Sequence, residues 1–162
     1  MNPASLKSES QVIATHRKAL RDYELLERWE TGIQLVGTEV KSIRNRQVSL
    51  EDSFARIDGN EVFLYNMHVN PYAQGGRFNV EPKRVRKLLL HRQQIERLTG
   101  LLSKRGVTLV PIRLYFKHGL AKVELALGKG KKLYEKREAI REREMERELR
   151  RMVRSRQKRG GD

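Results

Sequence analysis

VTLVPIRLYFKHGLAKVELAL, residues 107–127, is the stretch whose spacing decides the fold. Val107, Leu109, Ile112 and Leu114 precede Lys117-His118-Gly119, and Val123 and Leu125 follow it. Near-alternation of apolar and polar side chains is the signature of strands with one buried face. The spacing predicts two antiparallel strands around a tight turn. Pro111 lacks an N–H to give to a ladder, so it marks an edge or a bulge in the first strand.

The same pattern recurs upstream. SFARIDGNEVFLYNMHV, residues 53–69, reads as a second hairpin around Asp58-Gly59-Asn60. Gly32–Val36 and KRVRKLLL, residues 83–90, read as further strands. Residues 17–30 fit neither period throughout. Thr38 as N-cap, Glu39 in the first turn and Val40 with Ile43 on one face predict a short helix over 39–44. In HRQQIERLTGLLSKRG, residues 91–106, Ile95, Leu98, Leu101 and Leu102 line a helical face. His91 and Gln94 are spaced as a capping box, Gly106 ends the helix, and Gly100 suggests close packing at its middle. NPYAQGGRFNVEP, residues 70–82, is aperiodic and reads as a surface loop.

Several antiparallel strands with two or three short helices remove their edges by closing into a small barrel. Its expected core is Ile33, Leu35, Phe54, Ile57, Val62, Leu64, Val107, Leu109, Ile112, Leu114, Val123 and Leu125. Three segments are expected: a flexible lead over 1–14, a barrel over 15–128 and a basic tail over 129–162.

Charge sets the class of partner. The 35 Lys and Arg against 20 Asp and Glu leave +15. The 34 residues from Lys129 carry +7 of it, a density about three times that of the rest. Such an excess points to a polyanion. A membrane surface fits poorly: no run approaches the roughly 18–20 apolar residues of a spanning helix. The tail also lacks the aromatic and Leu face of an interfacial helix. Without Cys there is no disulfide or thiolate chemistry, and residues 1–15 lack the apolar heart of a signal peptide, so a cytoplasmic protein is expected.

Nothing in the pattern points to an enzyme. His16, His68, His91 and His118 show no metal-ligand spacing, and no cofactor motif is present. Glu51-Asp52 reads as a solvated turn. GKGKK, residues 128–132, fails as a P-loop because Lys132 stands where Ser or Thr is required. Binding is the better reading. Arg84, Arg86 and Lys87 fall in one strand-like segment, Lys41 and Arg44 share a helix face, and Tyr72 and Phe78 are loop aromatics able to stack on bases.

GTEVKS at 37–42, KLLLH at 87–91 and GKGKK followed by EKRE at 128–138 occur in this order. The chain resembles the small protein B family, the SsrA-binding proteins of bacteria, over roughly residues 14–145. The resemblance implies a mainly β fold, an antiparallel OB-like β-barrel with flanking helices. It implies an RNA-binding protein that is not an enzyme and needs no metal or cofactor. It would bind the tRNA-like domain of transfer-messenger RNA and bring it to stalled ribosomes for trans-translation. The tail would read the small-subunit decoding region and empty mRNA channel. By the same resemblance, Glu30, Lys41, Arg84, Arg86, Lys87 and Leu89 are RNA-binding residues, and Arg44 joins them through the helix face it shares with Lys41. His16 stands where the family often has Asn, ahead of Arg17 and Lys18, and joins them. Lys129, Lys131, Lys132, Tyr134, Lys136 and Arg137 are the ribosome-binding part of the tail, with Glu135 in place of the family's Asp. The tail is expected to be disordered when free and helical on the ribosome, because pairs such as Glu146–Arg150 add only a few tenths of a kcal/mol each. A monomer is expected. A generic ribosomal or RNA-binding barrel protein with a basic extension would carry the same charge and remains the alternative.

Overall fold

The computed structural model describes residues 10–131 and 133–159, with the side chains of 133–139 and 158–159 outside the description. In chain order the elements are β1 (Ser10–Thr15), α1 (Arg17–Asp22), β2 (Tyr23–Ile33), α2 (Gly37–Arg44), β3 (Val48–Ser49), β4 (Phe54–Asp58), β5 (Glu61–Tyr65), β6 (His68–Val69), β7 (Arg86–Leu89), α3 (Arg92–Leu102), β8 (Val107–Lys117), β9 (Leu120–Gly130) and α4 (Leu133–Arg159). The chain divides into two compact units, Met1–Gly130 and Lys131–Asp162.

The decisive hairpin is β8–β9, paired from Val107↔Lys129 to Lys117↔Leu120. His118 and Gly119 turn it with positive φ of 51° and 74°, the conformation of a two-residue hairpin turn whose twist matches its strands. The β8–β9 register slips between Pro111 and Arg113, so the bulge expected at the proline is present. β4–β5 form the second hairpin. All pairings are antiparallel, and β8–β4–β5–β7–β2–β9 returns to β8 as a closed ring of six strands. Beside β8, β4 pairs at Leu109, and β1 takes over from Arg113 to Lys117. Residues 10–14 are therefore part of a strand rather than of a flexible lead, with Ile13 facing the core. Residues 1–9 lie outside the described residues.

The barrel interior is filled by Ile33, Val62, Leu64, Leu109, Leu114, Val123 and Leu125, joined by Ile43 from α2 and Leu98 from α3. A second cluster, Ala19, Val110, Ile112 and Ala126, lies under α1 with Tyr23 and Leu25. Both faces of β8 are thus covered, which is why LVPI runs apolar without alternation. Phe54 is not a core residue. Ala55 and Ile57 take the inward positions of β4, and Phe54 stacks on Tyr65 with ring centroids 5.2 Å apart. Gly100 is not closely packed either: nothing lies within 4 Å of where its Cβ would stand.

In the second unit the structure shows one continuous helix, α4. Arg and Glu dominate it, and no Gly or Pro interrupts it, so intrinsic propensity favours the helix. Met145, Leu149, Met152 and Val153 fall on one side at helical spacing and are all more than half exposed.

Candidate nucleic-acid interface

Along the last turns of β2, Thr31 and Ile33 face inward, so Glu30 and Gly32 face out. Register carries this outward surface across four strands. Gly32 pairs with Leu89 of β7 on one side and Lys122 of β9 on the other, and Lys122 pairs with Tyr115 of β8. Leu89 covers Gly32 closely, its Cβ 3.1 Å from where a glycine Cβ would point, and stays half exposed. Glu30 lies one row away. The Tyr115 hydroxyl donates to its Oε2 at 2.5 Å, and Lys117 Nζ reaches both carboxylate oxygens at 3.3–3.4 Å. The Tyr115 hydrogen bond holds the Glu30 carboxyl below the ordinary 4.5; desolvation works against it, and Lys117 and the charge of Lys122 add to the lowering. Burial and the hydrogen bond to Glu30 push the Tyr115 phenol above its ordinary value, so it stays a donor. Glu30 is an ionised, oriented acceptor on a basic face. Tyr115 and Lys117 were not singled out in the sequence, because 85 residues separate Tyr115 from Glu30.

A second carboxylate cluster lies where α2 meets the start of β7. Glu39 is buried in the first turn of α2 and accepts the Val36 N–H at 3.1 Å, closing the helix start without the expected Thr38 cap. Arg84 binds Glu39 Oε1 through Nε at 3.1 Å and through Nη2, and Arg86 Nε binds Oε2 at 2.6 Å. Arg86 also donates to the carbonyls of Met67, Arg84 and Pro82 at 2.7–3.1 Å. Burial works to raise the Glu39 carboxyl, but the Arg84 and Val36 hydrogen bonds and the Arg86 charge outweigh it, so it lies below 4.5. Burial lowers the Arg86 guanidinium from its ordinary value, and Glu39 partly restores it.

This corrects the assignment of Arg86 as an RNA contact. It is 0 % exposed, and its donors are spent on protein acceptors. Arg84 is intermediate, its side chain 28 % exposed, and is engaged with Glu39 and the Gln34 carbonyl. His16 is corrected as well: it is 4 % exposed, and its Nδ1 donates to the Pro111 carbonyl at 2.9 Å. The imidazole fastens the start of α1 to the bulge of β8, which leaves it no surface for a phosphate.

The other predicted residues are on the surface. Arg17 and Lys18 open α1 and are exposed, with Lys18 3.2 Å from Asp52. On α2, Lys41 lies over the Tyr72 ring at 5.3 Å and Arg44 over the Phe116 ring at 5.8 Å. Lys87 points outward from β7 to Glu61 at 2.9 Å. Lys129 belongs to β9, paired with Glu24 and Val107, and not to the tail. Lys131 is exposed. Lys132 and the side chains of Tyr134, Lys136 and Arg137 lie outside the described residues. Register thus sets Leu89 beside Gly32, on the face that also carries Glu30, and ion pairing joins Arg84 and Arg86 to the helix that carries Lys41 and Arg44. Among the described residues, no group of His, Asp or Glu is placed to hold a metal ion, and no helix is long and apolar enough to cross a membrane.

The model of the SmpB protein family matches residues 13–155, through the barrel and most of α4. The chain belongs to the SmpB protein family. An SsrA-binding protein of Caldanaerobacter subterraneus subsp. tengcongensis is 54 % identical over 151 residues, 93 % of this chain and 96 % of that one. An SsrA-binding protein of Geobacillus kaustophilus is 55 % identical over 152 residues, 94 % of this chain and 98 % of that one. A solved structure described as "tmRNA-SmpB: a journey to the center of the bacterial ribosome" aligns with a TM-score of 0.63 at 50 % identity, covering 75 % of this chain and 86 % of that chain.

Proposed function

We propose that this SmpB-family chain binds the tRNA-like domain of transfer-messenger RNA and carries it to stalled ribosomes for trans-translation. The single observation that carries the reading is the family match over residues 13–155, to relatives called SsrA-binding proteins. The geometry agrees with it. Glu30 is an oriented acceptor on a face that also presents Lys117, Lys122 and Leu89. Cations bind any phosphate, whereas a fixed carboxylate gains only where ribose or base donors meet it. Glu30, Lys41, Arg44, Lys87 and Leu89 form the proposed RNA surface, with Arg17 and Lys18 as additional phosphate contacts. In this reading the protein is a cytoplasmic monomer that acts by binding and not by catalysis.

The two units divide the work. The first holds the RNA; the second, with Lys131, Lys132, Tyr134, Lys136 and Arg137 at its start, engages the ribosome. Isolation of the protein from cells tests the partner. One discrete stable RNA with a tRNA-like end is expected; stoichiometric bulk ribosomal RNA would replace this reading with a generic ribosomal barrel protein. A chain ending at Gly130 keeps every residue of both core clusters. It should fold and bind the tRNA-like RNA within several-fold of full length, and fail to support nascent-chain tagging in a purified translation system. Normal tagging, or loss of RNA binding, would refute the division.

A further inference from the structure

The loop over residues 70–82 is built rather than slack. The Asn79 side chain closes it like a clasp: Oδ1 accepts the Tyr72 N–H and Nδ2 donates to the Tyr72 carbonyl, both at 2.9 Å. A Cβ on Gly75 would stand 2.7 Å from Asn79 Oδ1, and Gly76 has φ of +51°. The two glycines are therefore what the clasp requires. Thr38 of α2 ties the loop down by donating its hydroxyl to the Phe78 carbonyl at 3.3 Å. The result holds the Tyr72 ring beside α2, under Lys41, and leaves the Phe78 ring open at the end of the loop. Phe78 is 69 % exposed, an arrangement that burial does not explain.

Between the loop and α2 lies an open groove of about 380 Å3, whose lining includes Lys41, Tyr72, Gln74, Thr38 and Phe78 and no acidic side chain. That volume suits one small flat group and not a helix or a duplex. Lys41 stands over the Tyr72 ring, and Arg77 stands over the Phe78 ring at 5.1 Å without lining the groove. Thr38 and Gln74 add neutral polar groups. Rigid aromatic faces with cations beside them and no carboxylate match the chemistry of a nucleotide, a flat base joined to a phosphate.

We propose that this groove takes one unpaired nucleobase of the bound RNA, stacked on Phe78, with its phosphate at Lys41. The inference rests on the RNA-binding function proposed above and adds a non-electrostatic contact to it. Binding of the full-length protein to the tRNA-like RNA, measured over a series of salt concentrations, tests it. Phe78→Ala should weaken binding about 5- to 150-fold, the range of a lost base–aromatic stack, with the salt slope unchanged. Phe78→Tyr should restore it, because the ring and not its substituent stacks. Lys41→Ala should instead lower the slope by about 0.7–0.9, as one phosphate contact does. Thermal melting of Phe78→Ala should match the wild type, since the ring buries little. Wild-type affinity in Phe78→Ala overturns the groove proposal while leaving the function intact. So does a defect seen only on assembled ribosomes and absent with the tRNA-like RNA alone, which assigns the groove to a ribosomal partner. A wild-type protein that ignores the RNA overturns both.

Discussion

Glu39 and Glu30 are both carboxylates held below their ordinary pKa by basic or hydroxyl partners. Their surroundings give them opposite roles. Glu39 is 3 % exposed, and its oxygens are taken up by Arg84, Arg86 and the Val36 amide. It has nothing left for a ligand, and it locks α2 to the approach of β7. The Glu30 side chain is 41 % exposed and is met from one side by Tyr115 and Lys117. Its remaining lone pairs face solvent. Partner chemistry alone does not separate a structural acid from a binding one; burial and spare acceptor capacity do.

The largest effect should come from breaking the buried cluster. Arg86→Met leaves Glu39 desolvated beside a single remaining guanidinium, and should cost about 3–5 kcal/mol in urea unfolding. The double variant Glu39→Leu/Arg86→Met should recover much of that loss, because no unpaired carboxylate remains. RNA binding by folded Arg86→Met should keep its salt slope. A wild-type melt with a slope reduced by about one would return Arg86 to the phosphate-binding set.

A smaller effect should appear with acid. The folded Glu39 carboxyl titrates below its unfolded value near 4.5. Its contribution is therefore complete above pH about 4.5 and fades as pH falls through the lower folded value. Stability measured between pH 6 and pH 3 should drop along this limb in the wild type. Glu39→Gln should be less stable at neutral pH and show a flatter limb. If the two limbs are parallel, Glu39 does not carry the acid sensitivity.

The smallest stability change belongs to the exposed acid. Glu30→Gln should alter unfolding by no more than about 1 kcal/mol, as partly solvated pairs do. It should nevertheless weaken binding of the tRNA-like RNA while leaving the salt slope in place. Tyr115→Phe should reproduce part of the defect, since it frees the carboxylate to rotate. Unchanged RNA affinity in both variants would remove Glu30 from the interface.

These contrasts mark how far the sequence could be read. Hairpins were legible because alternation and turn residues are local. So was the Pro111 bulge, because a missing N–H is a property of one residue. The dual nature of residues 17–30 was not. Register between β2 and β9 slips between Leu25 and Glu27. Tyr23 and Leu25 consequently pack under α1, whereas Trp29 and Ile33 pack inside the ring. One inserted residue breaks any single period. Phe54 was misread because β4 offers both phases, and the smaller Ala55 takes the inward one. Arg86 and His16 were placed on the surface because their residue types usually are. What buries Arg86 is an acid 47 positions away, and what buries His16 is a carbonyl 95 positions away. Glu30 was legible only through family resemblance, since an acid in a basic chain has no local signature of binding.

The closure of the ring has a consequence in time. β2 finds its long partner only in β9, so its edge waits from Ile33 until the ribosome has passed Leu120. At about 5–20 residues per second, that gap lasts about 4–17 s. A nascent strand left open so long is a template for wrong pairing. Glu24, Glu27, Arg28 and Glu30 are spread along it. Charges that later face solvent or partner thus guard β2 against other nascent chains during synthesis, before there is a barrel to bind anything.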